Sequence, residues 1–500
     1  MQNTVNPIKK VLVSVWDKSG LDTLAPLLKS LNVETYSTGG TAKYLESLGL
    51  KVIPVEAVTE FPEMLAGRVK TLHPKIFGGI LARREEAEDL KQVAEFQIPL
   101  FDLVIVNLYP FWEHLKDDTK TQSQFVDIGG PSMIRASAKN HFHVTVASDP
   151  KDYAELAEEL KKYQGTSYPF RKKMAALTFE RTAAYDAMIA NAWLESELPH
   201  QLSLSKQLPL RYGENPHQKA AWTGEASWKS IQGKELSYNN LLDAEAATRL
   251  TSEFADPAVA IIKHNNPCGV ASFTGELSEI YQAALDCDPK SAFGGIVSFN
   301  RPVDAKTAEL LSQHFYEVIL APSFDPAALE IFSKKKNLRI IQWEKPNFQA
   351  FEIRSSLGGF LVQTSDDAGV PPKLESVTEK KMESGQMEKD LVFAWLVSKH
   401  VRSNAIVIAK KGRTLGIGAG QMSRVDAVEI ALKRAGAETS QAVLASDAFF
   451  PFRDNIDLLK SSGIRGIVQP GGSQRDGEVI QACNELGISM VFTGQRHFRH

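Results

Sequence analysis

Short apolar runs alternate with helix-patterned segments from the first residues onward, and this alternation restricts the fold more than any other feature. KKVLVSV (9–15) reads as a strand, and SGLDTLAPLLKSL (19–31) reads as a helix with Leu21, Leu24, Leu27, Leu28 and Leu31 on one face. VETYS (33–37), KVIPV (51–55), FDLVIVNLY (101–109) and HVTVAS (143–148) read as further strands, with a short helix over 41–49 stopped by Gly49. Strands that alternate with helices imply a parallel sheet covered on both faces. A long helix over 168–194 precedes a stretch rich in proline and polar residues, so the main boundary is expected near 197–205. The second half is again mixed α/β, with a further break expected across 366–386, around Pro371-Pro372. No internal repeat is visible.

Five hundred residues exceed what one core normally supports. A net charge of −3 excludes a general nucleic-acid or membrane-surface binder. Three cysteines, Cys268, Cys287 and Cys483, without paired spacing argue against a disulfide scaffold or a cysteine zinc site. With no signal-peptide pattern and no long apolar span, the expected location is cytoplasmic.

Three glycine-containing turns are expected in the first half: STGGTAK (37–43), GRVKTLHPKIFGG (67–79) and DIGGPSMIRASAKN (127–140). Gly39-Gly40 stands between a strand and a helix start, where free N–H groups favour an anion. Ser37, Thr38 and Thr41 add hydroxyls, and Arg68, Lys70 and Lys139 add charge. The composition suits a phosphate, although no GxxxxGK[ST] loop is present. Each turn, taken singly, is equally well an ordinary strand-to-helix connection. In NLYPF, Tyr109 could donate to an oxyanion or simply pack.

In the second half, AVAIIKHNNPCGVASF (258–273) raises the sharpest question: an apolar run ends in Lys263 and His264 against a turn. A solvated strand end accounts for one such pair. A zinc deaminase needs H-x-E and P-C-x-x-C, but Asn266 stands where the Glu belongs and Ala271 where the second Cys belongs. A third reading is metal-free proton transfer, with the histidine as base and the lysine to stabilise developing negative charge. TLGIGAGQMSR (414–424) fails as a dinucleotide fingerprint, because Gln421 or Ser423 occupies the third glycine position. Its glycines are expected to allow close approach of a ligand or another strand. Phe449, Phe450 and Phe452 beside Arg453 and Asp454 could clasp a flat heterocycle or form a core hairpin.

Taken in order, SVWDKSG, STGGTAKYL, GRVKTLHPKIFGGIL, NLYPF, DIGGPSMIRASAKN, RYGENPHQ, KHNNPCG, SAFGGIV, SNAIVIAK, GIGAGQMSRVDA, SDAFFPFRDN and QPGGSQRD make the chain resemble the bifunctional purine-biosynthesis family of AICAR transformylase and IMP cyclohydrolase. The resemblance implies a methylglyoxal-synthase-like parallel-sheet domain over 1–198. It implies two cytidine-deaminase-like α/β subdomains without zinc over 199–500. The implied chemistry is formyl transfer from 10-formyltetrahydrofolate to the 5-amino group of AICAR, then ring closure of FAICAR to IMP. It also implies a homodimer with shared transformylase sites, and it admits a monovalent cation.

By the same resemblance, the transformylase residues are Lys263, His264 and Asn404 for catalysis, with Arg211, Tyr212, Asn240, Phe293, Gly294, Phe449, Asp454, Asn455 and Arg496 for binding. Lys70, Tyr109, Asp127 and Lys139 form the cyclohydrolase set. Ser14, Lys18, Ser37, Thr38, Gly39, Thr41, Arg68, Thr71, Asn107, Gly129 and Gly130 line its nucleotide. Trp16 stands where many relatives carry serine. The alternative is a single-function transformylase whose first domain is a nucleotide-binding regulatory module.

Overall fold

The computed structural model describes residues 4–500 except 63, 66–68, 205–206, 225, 344–347 and 370–373. Arg68 and Pro371-Pro372 therefore lie outside the described residues. The chain divides into two compact units, residues 1–205 and 206–500.

The first unit is built on five parallel strands in the order Val52–Pro54, Glu34–Ser37, Lys10–Ser14, Leu103–Val106, Thr145–Ala147. Leu103–Val106 is buried along its whole length, as a central strand covered on both faces must be. The helix expected over 41–49 runs Gly39–Ser47, so Gly39-Gly40 forms its first turn. Two segments expected as glycine turns are helical instead. Gly129–Lys139 starts on its glycine pair, and Pro74–Leu81 contains Gly78 and Gly79. Glycine pairs read as turns by propensity, but the apolar faces of these segments, Met133 and Ile134 or Ile76 and Ile80, are drawn into the core.

The second unit contains a twelve-stranded sheet made of one topology used twice. Each half has an edge strand, a helix, an antiparallel hairpin, a second helix and three parallel strands. In the first half these are Trp228–Gln232, Tyr238–Ser252, Ala258–Lys263 with Asn266–Ser272, Leu277–Leu285, then Ile296–Phe299, Val318–Ala321 and Arg339–Trp343. In the second they are Glu375–Ser376, Gln386–Lys399, Ile406–Lys410 with Arg413–Gly418, Arg424–Ala435, then Val443–Ser446, Gly466–Gln469 and Ser489–Phe492. The halves join where Ala271 pairs with Arg413.

The continuous apolar runs follow from this arrangement. Ala260 and Ile262 face a core shared by the helices Tyr238–Ser252 and Gln386–Lys399, while Val259 and Ile261 face the core on the opposite side. Val407 and Ala409 face the shared core in the same way, and Ile406 and Ile408 face away from it. In GIGAG, Gly416 and Gly418 pair with Ile408 and Ile406 of the neighbouring strand, and what closes on the space of their missing Cβ atoms is a helix. A Cβ on Gly416 would lie 2.1 Å from the Ala431 carbonyl oxygen, and one on Gly418 would lie 2.0 Å from that of Ala427. Glycine is what lets the helix Arg424–Ala435 lie on this strand.

Candidate functional site

In the first unit, the expected residues gather mostly at the carboxyl ends of strands Lys10–Ser14, Glu34–Ser37 and Leu103–Val106, where open parallel sheets bind ligands. Asn107 accepts from the Trp16 and Asp17 N–H groups at 2.7 and 3.1 Å and donates to the Asp17 carbonyl at 2.7 Å. This fixes the loop that carries Lys18 beyond Ser14. The helix Gly39–Ser47 begins after Thr38 with no side-chain cap, leaving N–H donors for an anion. The Lys70 ammonium comes within 4.0 Å of where a Cβ on Gly39 would sit. Ser37 is buried and donates to the Val13 carbonyl at 2.7 Å, and the Thr41 hydroxyl is engaged with Val15. Both hydroxyls brace the turn rather than point out of it.

Asp127 sits behind this cradle and accepts from the Gly130 N–H at 2.8 Å. Burial lifts its carboxyl above the ordinary value, while the Gly130 and Tyr109 backbones and the Lys70 charge pull the other way. A half-buried carboxyl poised in this way can take up and release a proton. The room is limited: a Cβ on Gly130 would lie 2.4 Å from Asp127 Oδ2, and one on Gly129 would lie 3.1 Å from the Thr71 hydroxyl. The Trp16 indole, 51% exposed, packs edge-on against Tyr109 with ring centres 5.3 Å apart. Lys139 stands apart from the cluster. It is exposed at the last residue of the helix that starts at Gly129, about 15 Å of helix axis away.

In the second unit, the turn of KHNNPCG is a tight two-residue hairpin. His264 and Asn265 both adopt the left-handed conformation, with φ of 54° and 59°, the pattern of a type I′ turn. Asn266 already belongs to the returning strand, Pro267 stands opposite Ile262, and the register shift between Ile261 and Ile262 absorbs Cys268. Asp243 clamps the turn by accepting from the His264 and Asn265 N–H groups at 3.0 and 2.7 Å. The Lys263 ammonium donates to the Phe293 carbonyl at 2.8 Å, beside Gly294. His264 is thus exposed on a rigid support, lining a cleft of about 420 Å³ with Lys263, Asn266, Cys268 and Cys287. Burial pushes the Cys268 thiol up to about 12 and the Cys287 thiol up to about 11, so neither is a thiolate near neutral pH.

Arg211, Tyr212 and Asn240 meet at the start of the helix that carries Asp243. Asn240 completes a capping box with Ser237, the Arg211 N–H donates to the Leu236 carbonyl, and the Tyr238 N–H donates to the Tyr212 carbonyl.

A second cleft, of about 390 Å³, is lined by Asn404, Phe449, Phe452, Asp454, Asn455 and Phe498. Phe450 alone of the three aromatics is core, whereas Phe449 and Phe452 are exposed. Asn455 is 1% exposed, and its Oδ1 has no hydrogen-bond partner. An orphaned amide oxygen beside the Asp454 carboxylate and aromatic walls suits the amino edge of a flat heterocycle. Arg496 lies over Phe498 at 4.6 Å.

Two contributors escaped the sequence reading. Asp243 lies in LLDAEAATRL, where an acid in an early helical turn looks like ordinary dipole compensation. Arg424, in QMSRVDA, donates to Asn404 Oδ1 at 2.7 Å and to Asp447 at 2.5 Å, with Asp447 fully buried. Asn404 also donates to the Gln421 and Met422 carbonyls, so its amide is held from both sides. Only the paired motifs SNAIV, QMSR and SDAFF hint at this grouping.

Among the described residues, no group of three or more His, Cys, Asp or Glu is disposed to hold a metal ion, and no helix is long and apolar enough to cross a membrane.

A family model described as the AICARFT/IMPCHase bienzyme matches residues 137–434, and an MGS-like domain model matches residues 20–132. The bifunctional purine biosynthesis protein PurH of Clostridium botulinum strain 657 is 49% identical, covering 99% of this chain and 100% of that protein. PurH of Oceanobacillus iheyensis is 47% identical, covering 98% and 100%. The crystal structure of ForH is 35% identical with a TM-score of 0.34, covering 37% of this chain and 96% of that one. With a bienzyme model over more than half its length and relatives matched end to end, the chain belongs to the AICARFT/IMPCHase bienzyme family.

Proposed function

We propose that the chain performs both activities of its family, with one site in each unit. The second unit transfers a formyl group from 10-formyltetrahydrofolate to the 5-amino group of AICAR, and the first closes FAICAR to IMP. The observation that carries the transfer reading is His264, exposed on a clamped turn beside Lys263. The AICAR amine attacks the formyl carbon, and its proton passes to the His264 imidazole. The bond from the formyl carbon to the folate nitrogen breaks, and that nitrogen takes up a proton. Lys263 supplies positive charge to the developing oxyanion. Asp454, Asn455 and the exposed Phe449 and Phe452 hold the folate's heterocycle.

In ring closure, the carboxamide nitrogen attacks the formamide carbon within one molecule, and water leaves. Proximity is built into the substrate, so the protein's work is to move protons and stabilise the oxyanion. Asp127 and Tyr109 suit that work, with Lys70 and the uncapped helix start at Gly39 holding the phosphate. Lys139 ends the helix that begins at Gly129 and is exposed there, so this reading places no step on it.

His264 and Asn404 line different clefts. This supports a homodimer in which one chain's His264 cleft completes the partner's Asn404 cleft, working in the cytoplasm. A monovalent cation is open to the resemblance alone, and activity compared in potassium and tetramethylammonium buffers decides it.

The test is a split assay on wild type, His264→Ala and Asp127→Asn. One arm follows tetrahydrofolate release from AICAR and 10-formyltetrahydrofolate, and the other follows IMP formed from supplied FAICAR. Each substitution is expected to abolish one arm and spare the other. Formyl transfer that survives His264→Ala refutes its role as base. A wild type that forms no IMP would make the first unit a binding module.

A further inference from the structure

The duplicated topology supplies an internal comparison for the KHNNPCG turn. The second hairpin turns on Lys411 and Gly412, both left-handed, with φ of 52° and 69°. Lys410 donates to the Ser440 carbonyl at 2.7 Å, as Lys263 does to Phe293. Asp390, in the helix equivalent to that of Asp243, accepts from the Gly412 N–H at 3.0 Å. The turn type, the lysine tie and the aspartate clamp are therefore properties of the module and are present where no histidine is.

The residue after the turn differs. Lys263 pairs with Asn266, and Lys410 pairs with Arg413. Arg413 makes a salt bridge with Glu438. Asn266 instead reaches across the seam between the halves. Its Oδ1 accepts from the Arg402 N–H at 3.0 Å, and its Nδ2 donates to the His264 carbonyl at 3.3 Å. Arg402 is two residues before Asn404, and the Gly420 N–H holds its carbonyl at 2.7 Å. One carboxamide thus connects the turn that presents His264 to the loop that presents Asn404. A hairpin of this kind forms without an amide at this position, as Arg413 demonstrates.

We propose that Asn266 is a positioning residue for formyl transfer: it holds the His264 turn in fixed register with the Arg402–Asn404 loop of its own chain, so that the two clefts of a chain, each completed by the partner, are presented to the two shared sites in one relative position. This rests on the transformylase reading above. The Arg402 link crosses between the modules, so it carries the register, while the bond to the His264 carbonyl is local to the turn.

The test uses the full chain with Asn266→Ala, Asn266→Asp and Arg413→Ala, measuring kcat and KM for both substrates, IMP formation from FAICAR, and thermal midpoint. Asn266→Ala is expected to lower the kcat for formyl transfer 10- to 100-fold, since misplacing a reacting group by about 1 Å costs about that much. KM values and IMP formation should stay within about threefold, as expected when only the reacting geometry changes. Asn266→Asp keeps an acceptor for the Arg402 N–H and should recover kcat to within about fivefold of wild type. Arg413→Ala should leave kcat unchanged. A kcat for Asn266→Ala within about twofold of wild type overturns the proposal, as does failure of Asn266→Asp to recover it. If the alanine variant does not fold, Asn266→Asp decides: a kcat more than about fivefold below wild type overturns the proposal. A wild type that releases no tetrahydrofolate overturns the activity itself, and this inference with it.

Discussion

Removing the Asp243 carboxylate should disable formyl transfer while sparing ring closure. Asp243 accepts two backbone hydrogen bonds, at 3.0 and 2.7 Å, from residues whose φ values are 54° and 59°. Hydrogen bonds to a charged acceptor contribute about 1.5–3 kcal/mol each. Burial raises the Asp243 pKa, so part of that gain offsets desolvation. About 2–3 kcal/mol is a fair net figure for the clamp. Against it stands the left-handed conformation of His264, which costs a residue with a Cβ about 1–2 kcal/mol. In Asp243→Ala the turn loses the force that offsets this cost, and His264 no longer holds one position. Displacement by about 1 Å lowers the rate by about 100-fold. The expected result is therefore a 10- to 100-fold loss of tetrahydrofolate release, with IMP formation from FAICAR within about twofold of wild type. The thermal midpoint of the second unit should fall by about 3–5 °C. Full transfer activity in Asp243→Ala would refute the reasoning and leave turn geometry to Asn265 and Asn266 alone.

Three further outcomes follow from the same geometry. The folded state binds the Asp127 proton more tightly than the unfolded state does, because burial raises its pKa. Its contribution to stability therefore grows as pH falls from the raised value towards the ordinary 3.8 and is lost as pH rises through the raised value. IMP formation moves the opposite way, falling as the carboxylate is protonated, so the wild-type pH–rate profile for ring closure should carry an acid limb that the formyl-transfer profile does not share. Asp447→Ala leaves Arg424 buried without its carboxylate, and urea unfolding should register a loss of about 3–5 kcal/mol. A loss below about 1 kcal/mol would mean the pair is not structural. Mixing inactive His264→Ala and Asn404→Ala chains under subunit exchange should restore about a quarter of wild-type transfer, since half the two-fold dimers then hold one intact shared site. No recovery under confirmed exchange argues that each chain owns its site.

The order of strands and helices was legible in the sequence because each element carries its own periodicity. The run 258–262 is apolar throughout since both faces of that strand are covered, and Leu21, Leu24 and Leu28 recur on one helical face for the same reason. Lys263 and His264 stood out as neighbours at a strand end, while Asp127 and Asn404 were expected only through the resemblance carried by many motifs in order. Tertiary structure decided what depends on contacts between distant residues. The repeated module is invisible in the chain because burial and strand pairing constrain shape and polarity, not identity: Lys-His-Asn-Asn and Lys-Lys-Gly-Arg make the same hairpin. Asp243 reaches a turn 21 residues away, and Arg424 joins residues 20 and 23 positions off. Lys139 shares a motif with Asp127 yet lies a helix length from it, because an α-helix turns closeness in sequence into distance along its axis.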